Sequence, residues 1–304
     1  MMPKKTVEGF PPSFQFSKTH VIARPVRAVA IPWTEARTIQ KIHGIATPVC
    51  ALARNDVFFL SHKETIIMSI AENIARIRAE LNAAALACGR DPASIQLCAA
   101  TKMNGADAVR EAIAGGVDCC GENRVQELVA KELENAYEGA PVHFIGVLQT
   151  NKVKQVVGHV DLIQSVDRRN LMEAIEKEAA KKGITQKILL EINIGNEESK
   201  SGFRADEVFH ILEDLHKFPH LQVRGLMAIP PVSHNPGDNL KFFKEISQLS
   251  VDITRKKYDN VAMECLSMGM SDDFADAIAA GSTMIRVGTA IFGARNYAKP
   301  HQNN

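Results

Sequence analysis

Cysteine is sparse in this chain: six residues, at positions 50, 88, 98, 119, 120 and 265, with no CxxC pair among them. That spacing excludes a zinc ribbon and a disulfide framework, and a reducing compartment, the cytoplasm, suits it. Excess charge is missing too. Lys and Arg number 36 against 35 Asp and Glu, a net of +1, which excludes nucleic acid and anionic membrane as main partners. No apolar run approaches the roughly 20 residues that span a bilayer. No GxGxxG follows the first β-rich run, which weakens a dinucleotide-binding reading. What is present is 304 residues, 45% of them hydrophobic, enough for a large globular core.

Residues 1–67 stand apart from the rest. They hold Pro3, Pro11, Pro12, Pro25, Pro32 and Pro48, show no sustained period and carry more basic than acidic side chains. Three readings fit this irregular N-terminal extension: a basic transit peptide, a disordered tail, or a stretch outside the native protein. The third is favoured, because Met68 falls immediately before the first periodic element, an amphipathic helix with Ile70, Ile74, Ile77 and Leu81 on one face. The domain is therefore expected over 68–304.

Within that domain short β-rich runs alternate with helical segments. Strands are predicted at 95–101, 117–121, 142–146, 162–166, 187–193, 223–229, 261–266 and 284–288. Helical stretches are predicted at 106–114, 124–137, 168–182, 206–217 and 239–256. Strictly alternating β and α implies a parallel sheet, and eight strands in about 230 residues match the closed (β/α)8 TIM-type barrel. A doubly wound open sheet is the alternative on pattern alone. Cys119 and Cys120, adjacent on a strand, should face opposite sides.

Barrel chemistry sits at the C-terminal strand ends, and here those ends are polar. Strand 1 ends in Thr101-Lys102 and strand 2 in Glu122-Asn123. Lys102 either extends to solvent or is desolvated into a neutral amine able to attack a carbonyl. After strand 7, Ser267-Met268-Gly269-Met270-Ser271 offers a hydroxyl, a glycine that lets backbone approach an anion, and Ser271 as the N-cap of the next helix. After strand 8, Gly288-Thr289 opens a second run of amides and a hydroxyl. Each is an ordinary turn taken singly; two on neighbouring strands point to phosphate. Arg286, two residues before Gly288, shares its face. Either it pairs with an acid such as Glu122 or Glu264, or it faces a ligand.

These segments resemble a known family. AATK (99–102), GENRVQE (121–127), HFIGVLQTNK (143–152), SVD (165–167), EINIGNEESKSGF (191–203), GLMAIP (225–230), LSMGMSDDF (266–274) and IRVGTAIFG (285–293) occur in the order seen in the YggS/PROSC family of pyridoxal 5′-phosphate (PLP) homeostasis proteins. The resemblance implies a single fold type III, alanine racemase N-terminal-like barrel that holds PLP as a Schiff base on Lys102. It implies that Ser267, the backbone at Met268 and Gly269, Gly288 and Thr289 hold the phosphate, that Arg286 sits by the pyridine nitrogen, and that Asn123 lies near the ring. One departure follows the lysine: Met103-Asn104-Gly105 replaces the Thr-Lys-Pro of many relatives. Lys152 and Lys200 lie in matching loops and are as well read as solvated lysines.

Two features bear on turnover. A guanidinium beside the ring nitrogen disfavours its protonation and weakens the electron sink. Racemisation also needs a base on each face of the α-carbon; only about 16 residues follow strand 8, and of the three tyrosines, Tyr137, Tyr258 and Tyr297, the last lies in the C-terminal tail and is a poor candidate for a fixed second base. The expectation is a PLP carrier and regulator, a monomer with little or no catalysis, acting on apo PLP-dependent enzymes. A fold type III amino acid racemase is the alternative, and a cofactor-free lysine aldolase a third.

Overall fold

In the computed structural model the described residues are 68–195, 197, 201–231, 235 and 237–293; the extension read at 1–67, Tyr297 and Lys200 lie outside them. Helix α1 (Ile70–Ala87) starts where its chemistry dictates. Ser69 is the N-cap and accepts from Glu72 N at 3.2 Å, while Glu72 Oε2 accepts from Ser69 N at 2.8 Å, a capping box. Its stripe of Ile74, Ile77, Leu81 and Ala85 is fully buried. It packs on the outward residues Leu97, Ala99, Ile285 and Val287, so it covers the seam where the first and last strands meet. Each large side chain in that stripe contributes about 1.5–3 kcal/mol of burial.

All eight predicted strands are present: β1 (Gln96–Ala100), β2 (Cys119–Glu122), β3 (Val142–Phe144), β4 (Leu162–Val166), β5 (Gln186–Ile192), β6 (Leu221–Ala228), β7 (Val261–Ser267) and β8 (Met284–Val287). They pair in parallel, in sequence order, and close as a barrel when β8 bonds β1 with Cys98 opposite Arg286. The doubly wound alternative is thereby set aside. The outer layer is α2 (Ala106–Ala114), α3 (Val125–Leu133), α4 (Arg169–Lys182), α5 (Val208–Glu213), α6 (Leu240–Lys256), α7 (Phe274–Ala279) and the short α8 (Thr289–Phe292). Between β3 and β4 stands only a 3-10 turn, Thr150–Gln155, which carries Lys152.

Strand alternation sorts side chains into two cores. Cys120, Phe144, Ile163 and Ile188 face the helices. Cys98, Cys119 and Met284 meet inside the barrel, as do Leu162, Leu189 and Met227. The neighbouring cysteines do face opposite sides. Among the described residues no helix is long and apolar enough to cross a membrane.

Candidate functional site

Parity decides which strand-end residues share the mouth. Cys98 is interior, so Lys102, four residues on, leaves β1 on the interior face and is half-buried. Its backbone is held from both sides. Asn104 N donates to Thr101 O (3.1 Å), Asn104 Nδ2 donates to Lys102 O (3.0 Å), and Met103 N donates to Glu127 Oε2 (2.7 Å). In this loop Met103 takes a left-handed φ of +64° and is exposed.

Glu122 falls on the opposite face, in the layer between the sheet and α3. Its Oε1 accepts from Thr101 Oγ1 (2.5 Å), Lys131 Nζ (2.6 Å) and Tyr137 OH (3.1 Å), and Lys131 Nζ also donates to Thr101 O (2.8 Å). Glu264 lies at the other end of the barrel, paired with Arg224. Neither acid is the partner of Arg286, which corrects that expectation. The Glu122–Lys131–Tyr137 group instead clamps the peptide from which Lys102 springs. Burial, then the Glu122 charge, push the Tyr137 phenol up, and its ring packs in the outer core away from the barrel interior. Tyr258 lies just before β7, at the far end of the barrel.

Arg286 does face the interior, as its strand partner Cys98 does. It is 5% exposed, and its bonds go to neutral atoms: Nη1 donates to Ser267 O and Ser267 Oγ (both 2.6 Å), and Nη2 donates to Ala228 O (3.0 Å). These use three of five donors. Burial pulls its pKa down, while nearby charges, Glu191 among them, oppose that. Glu191 is buried on the same interior face, and burial together with the Asp167 charge raises its carboxyl despite Arg286.

Ser267 is fully buried. Because its Oγ accepts from a guanidinium that has no lone pair, its proton goes onward to Gln164 Oε1 (2.6 Å). Gln164 Nε2 therefore turns to His143 Nδ1 (2.9 Å), which must accept, and Cys119 Sγ lies 3.5 Å from the same nitrogen. This network assigns His143 the Nε2–H tautomer, and burial holds its pKa down at about 4. The Ser267 hydroxyl thus points down the barrel, toward Gln164. Met268 is likewise committed: its N–H bonds Met284 O and its side chain is in the outer core.

The turn that follows is built on Gly269, with φ +93°. A Cβ there would stand 2.6 Å from Ala277 Cβ and 3.0 Å from Phe274 Cα, so no other residue fits both the space and the angle. Gly269 O accepts from Arg286 N (3.0 Å), which ties the turn to β8. Ser271 is not the helix cap. Asp273 occupies that position and folds its Oδ1 back onto Met270 N (2.7 Å), with Asn239 Nδ2 on Oδ2 (2.9 Å). On the next strand Gly288 precedes α8, whose first turn presents Thr289 at the surface. Asn123, at the end of β2, is half-buried, and its Oδ1 is buried with no hydrogen-bond partner among the described residues.

Lysine, a buried cation and two glycine turns around one barrel mouth define a class. The family profile of the alanine racemase N-terminal domain matches residues 69–296, and the alanine racemase of Streptomyces coelicolor shares the fold at 19% identity and a TM-score of 0.56, over 75% of this chain and 59% of that one. Nearer relatives are more specific. The pyridoxal phosphate homeostasis protein of Aquifex aeolicus is 40% identical over 230 residues, 76% of this chain and 100% of its own. That of Escherichia coli K12 is 40% identical over 233 residues, 76% and 98%. PipY of Synechococcus elongatus, solved with PLP bound, is 33% identical with a TM-score of 0.65, over 74% of this chain and 100% of that one. The chain belongs to the family of pyridoxal phosphate homeostasis proteins.

Proposed function

We propose that this chain binds PLP covalently at Lys102 and serves its intracellular homeostasis, with little or no turnover. The observation that carries the reading is Arg286. It is a buried guanidinium whose hydrogen-bond partners are all neutral, on the strand beside the one that ends in Lys102. Such a site retains positive charge and attracts an anion. The residues fit the cofactor in two further ways. Asn123 Oδ1 is a buried acceptor awaiting a donor, and the tight glycines at 269 and 288 bring backbone amides close to an anion without side chains in the way; a Cβ at Gly288 would stand 3.3 Å from that of Ala100.

PLP, when bound, supplies an aldehyde and an electron-withdrawing ring. Lys102 supplies the amine, and the clamp on Thr101 orients it. The amides after Gly288, with the Thr289 hydroxyl and the glycine turn at Gly269 beside them, receive the phosphate, and Asn123 borders the ring. Ser267 acts through Arg286, which it holds in place. Arg286, a donor only, meets the ring nitrogen as an acceptor and keeps it unprotonated, which restrains carbanion chemistry. The protein is read as a cytoplasmic monomer that limits free aldehyde and hands PLP to apo-enzymes.

The test is direct. Borohydride reduction of the yellow protein should fix a phosphopyridoxyl mass on the peptide containing Lys102, and Lys102→Ala should lose both colour and mass. A colourless protein that PLP leaves unmodified would support the aldolase instead. Exchange of α-deuterium on amino acids at roughly 1 s⁻¹ or faster would establish the racemase.

A further inference from the structure

The barrel interior, from the level of Arg286 toward the N-terminal mouth, holds a second constellation that the PLP reading does not use. Cys98 and Cys119 are register partners on β1 and β2, and both are buried. His143, on β3, is buried beside them. The two sulfurs and a ring nitrogen of His143 all lie within 4.8 Å of one another. With metal–sulfur bonds of about 2.3 Å and metal–nitrogen bonds of about 2.05 Å, a tetrahedral ion sets its S···N edge at about 3.6 Å. The Cys119 Sγ to His143 Nδ1 distance is 3.5 Å.

Packing accounts for two cysteines against Met284; what singles the cluster out is that the His143 Nδ1 bonded by Gln164 (2.9 Å) also lies 3.5 Å from the Cys119 sulfur, with Cys98 beside it. We propose that Cys98 Sγ, Cys119 Sγ and His143 Nδ1 bind one thiophilic divalent ion, zinc by preference. Charge supports that choice: two thiolates and a dication sum to zero, which a buried site of low dielectric tolerates. Each thiol gives up its proton to solvent as its sulfur joins the ion, so two protons leave per metal bound. His143 Nδ1 gives up its bond from Gln164, which keeps Ser267 and Met284 as partners.

Access and the fourth position come from a cavity of about 450 Å³ at the N-terminal mouth. It is lined by Cys119 and His143 themselves, with Cys265 and the carboxylates Asp118, Asp161 and Glu264 around its rim. Water from this cavity completes the tetrahedron, as in sites that keep three protein ligands.

The experiment is cobalt(II) titration of the full chain under reducing conditions, with Cys50→Ser, Cys88→Ser, Cys120→Ser and Cys265→Ser introduced to remove the four cysteines outside the cluster. The expected result is thiolate-to-cobalt charge-transfer bands and the visible bands of tetrahedral cobalt, saturating at one equivalent and displaced by zinc. Cys98→Ser and Cys119→Ser should each lose the charge-transfer intensity and weaken affinity at least about tenfold, the lower bound known for site perturbation. Zinc should raise the melting temperature of the background protein and not that of Cys119→Ser, a readout that needs no spectrum. Absence of thiolate bands in the background protein, or bands that persist in Cys119→Ser, would overturn the proposal.

Discussion

Two buried cations, Lys131 on α3 and Arg286 on β8, are treated in opposite ways. Lys131, in the layer between sheet and helix, meets a carboxylate: Glu122 lies 2.6 Å from its Nζ, and Thr101 and Tyr137 complete the cluster. Arg286, inside the barrel, is bonded to two carbonyls and one hydroxyl. The first arrangement neutralises charge and fixes backbone. The second bonds the cation only to neutral groups and leaves charges such as Glu191 and Asp273 to act on it without a direct hydrogen bond. Burial of a cation is thus no guide to function by itself; the chemistry of its partners is.

The largest effect should come from breaking the neutralised pair. Glu122→Ala strands Lys131 in a dry layer, and the loss of a partner from a buried pair costs about 3–5 kcal/mol, to be read from denaturant midpoints at unchanged slope. A cost under about 1 kcal/mol would mean that Lys131 escapes to water and that the comparison fails.

Next comes acid. His143 titrates near 4 in the fold and near 6.5 unfolded. The unfolded chain therefore takes up its proton first as pH falls, and the stability that the neutral imidazole contributes above pH 6.5 is lost between about 6.5 and 4. The contribution is on the order of 3 kcal/mol. His143→Gln should flatten that part of the stability profile while leaving the mouth intact.

Removing the uncompensated cation should be a matter of ligand more than of fold. Arg286→Met is expected to weaken PLP retention about tenfold to a hundredfold and to shift the absorption band, measured by dialysis and spectrophotometry, with unfolding changed by less than Glu122→Ala changes it. Smallest of all is the double replacement Glu122→Leu with Lys131→Met. Apolar residues of similar volume in place of a buried pair are neutral or stabilising, by about 1–4 kcal/mol, and PLP affinity should stay within about twofold. A large loss of PLP there would show that the clamp on Thr101 needs its charges.

The eight strands and α1 were legible because their signal is burial itself: apolar runs for strands enclosed on both faces, a 3.6-residue stripe for the helix. Lys102, Gly269 and Arg286 were legible as positions, since each ends or follows a barrel strand. Their partners were not. Glu122 closes a strand of only four residues, too short to show its parity, so its face stayed open. A signal for its partner does exist: Lys131 continues the apolar stripe of Val125 and Leu128 on α3, and a lysine there calls for a buried acid. Gln164 and His143 interrupt otherwise apolar strands at interior positions, a mark of polar groups that must satisfy each other. The Ser271 cap was misread because the helix begins two residues later, at Phe274, with Asp273 in the cap position and its side chain folded back onto Met270 N. The 3-10 turn at Thr150–Gln155 shows no apolar period long enough to separate it from a helix.

The seam between β1 and β8 has a consequence for the order in which the molecule is made. Lys102 belongs to the first strand to emerge from the ribosome and Arg286 to the last, and they come together only when Cys98 and Arg286 align. A nascent chain released early carries the nucleophile without the cation, the second glycine turn or the seal of α1 over the joint. On the proposed linkage at Lys102, retention of a reactive aldehyde is conditional on a finished barrel, and cofactor colour becomes a report on complete synthesis.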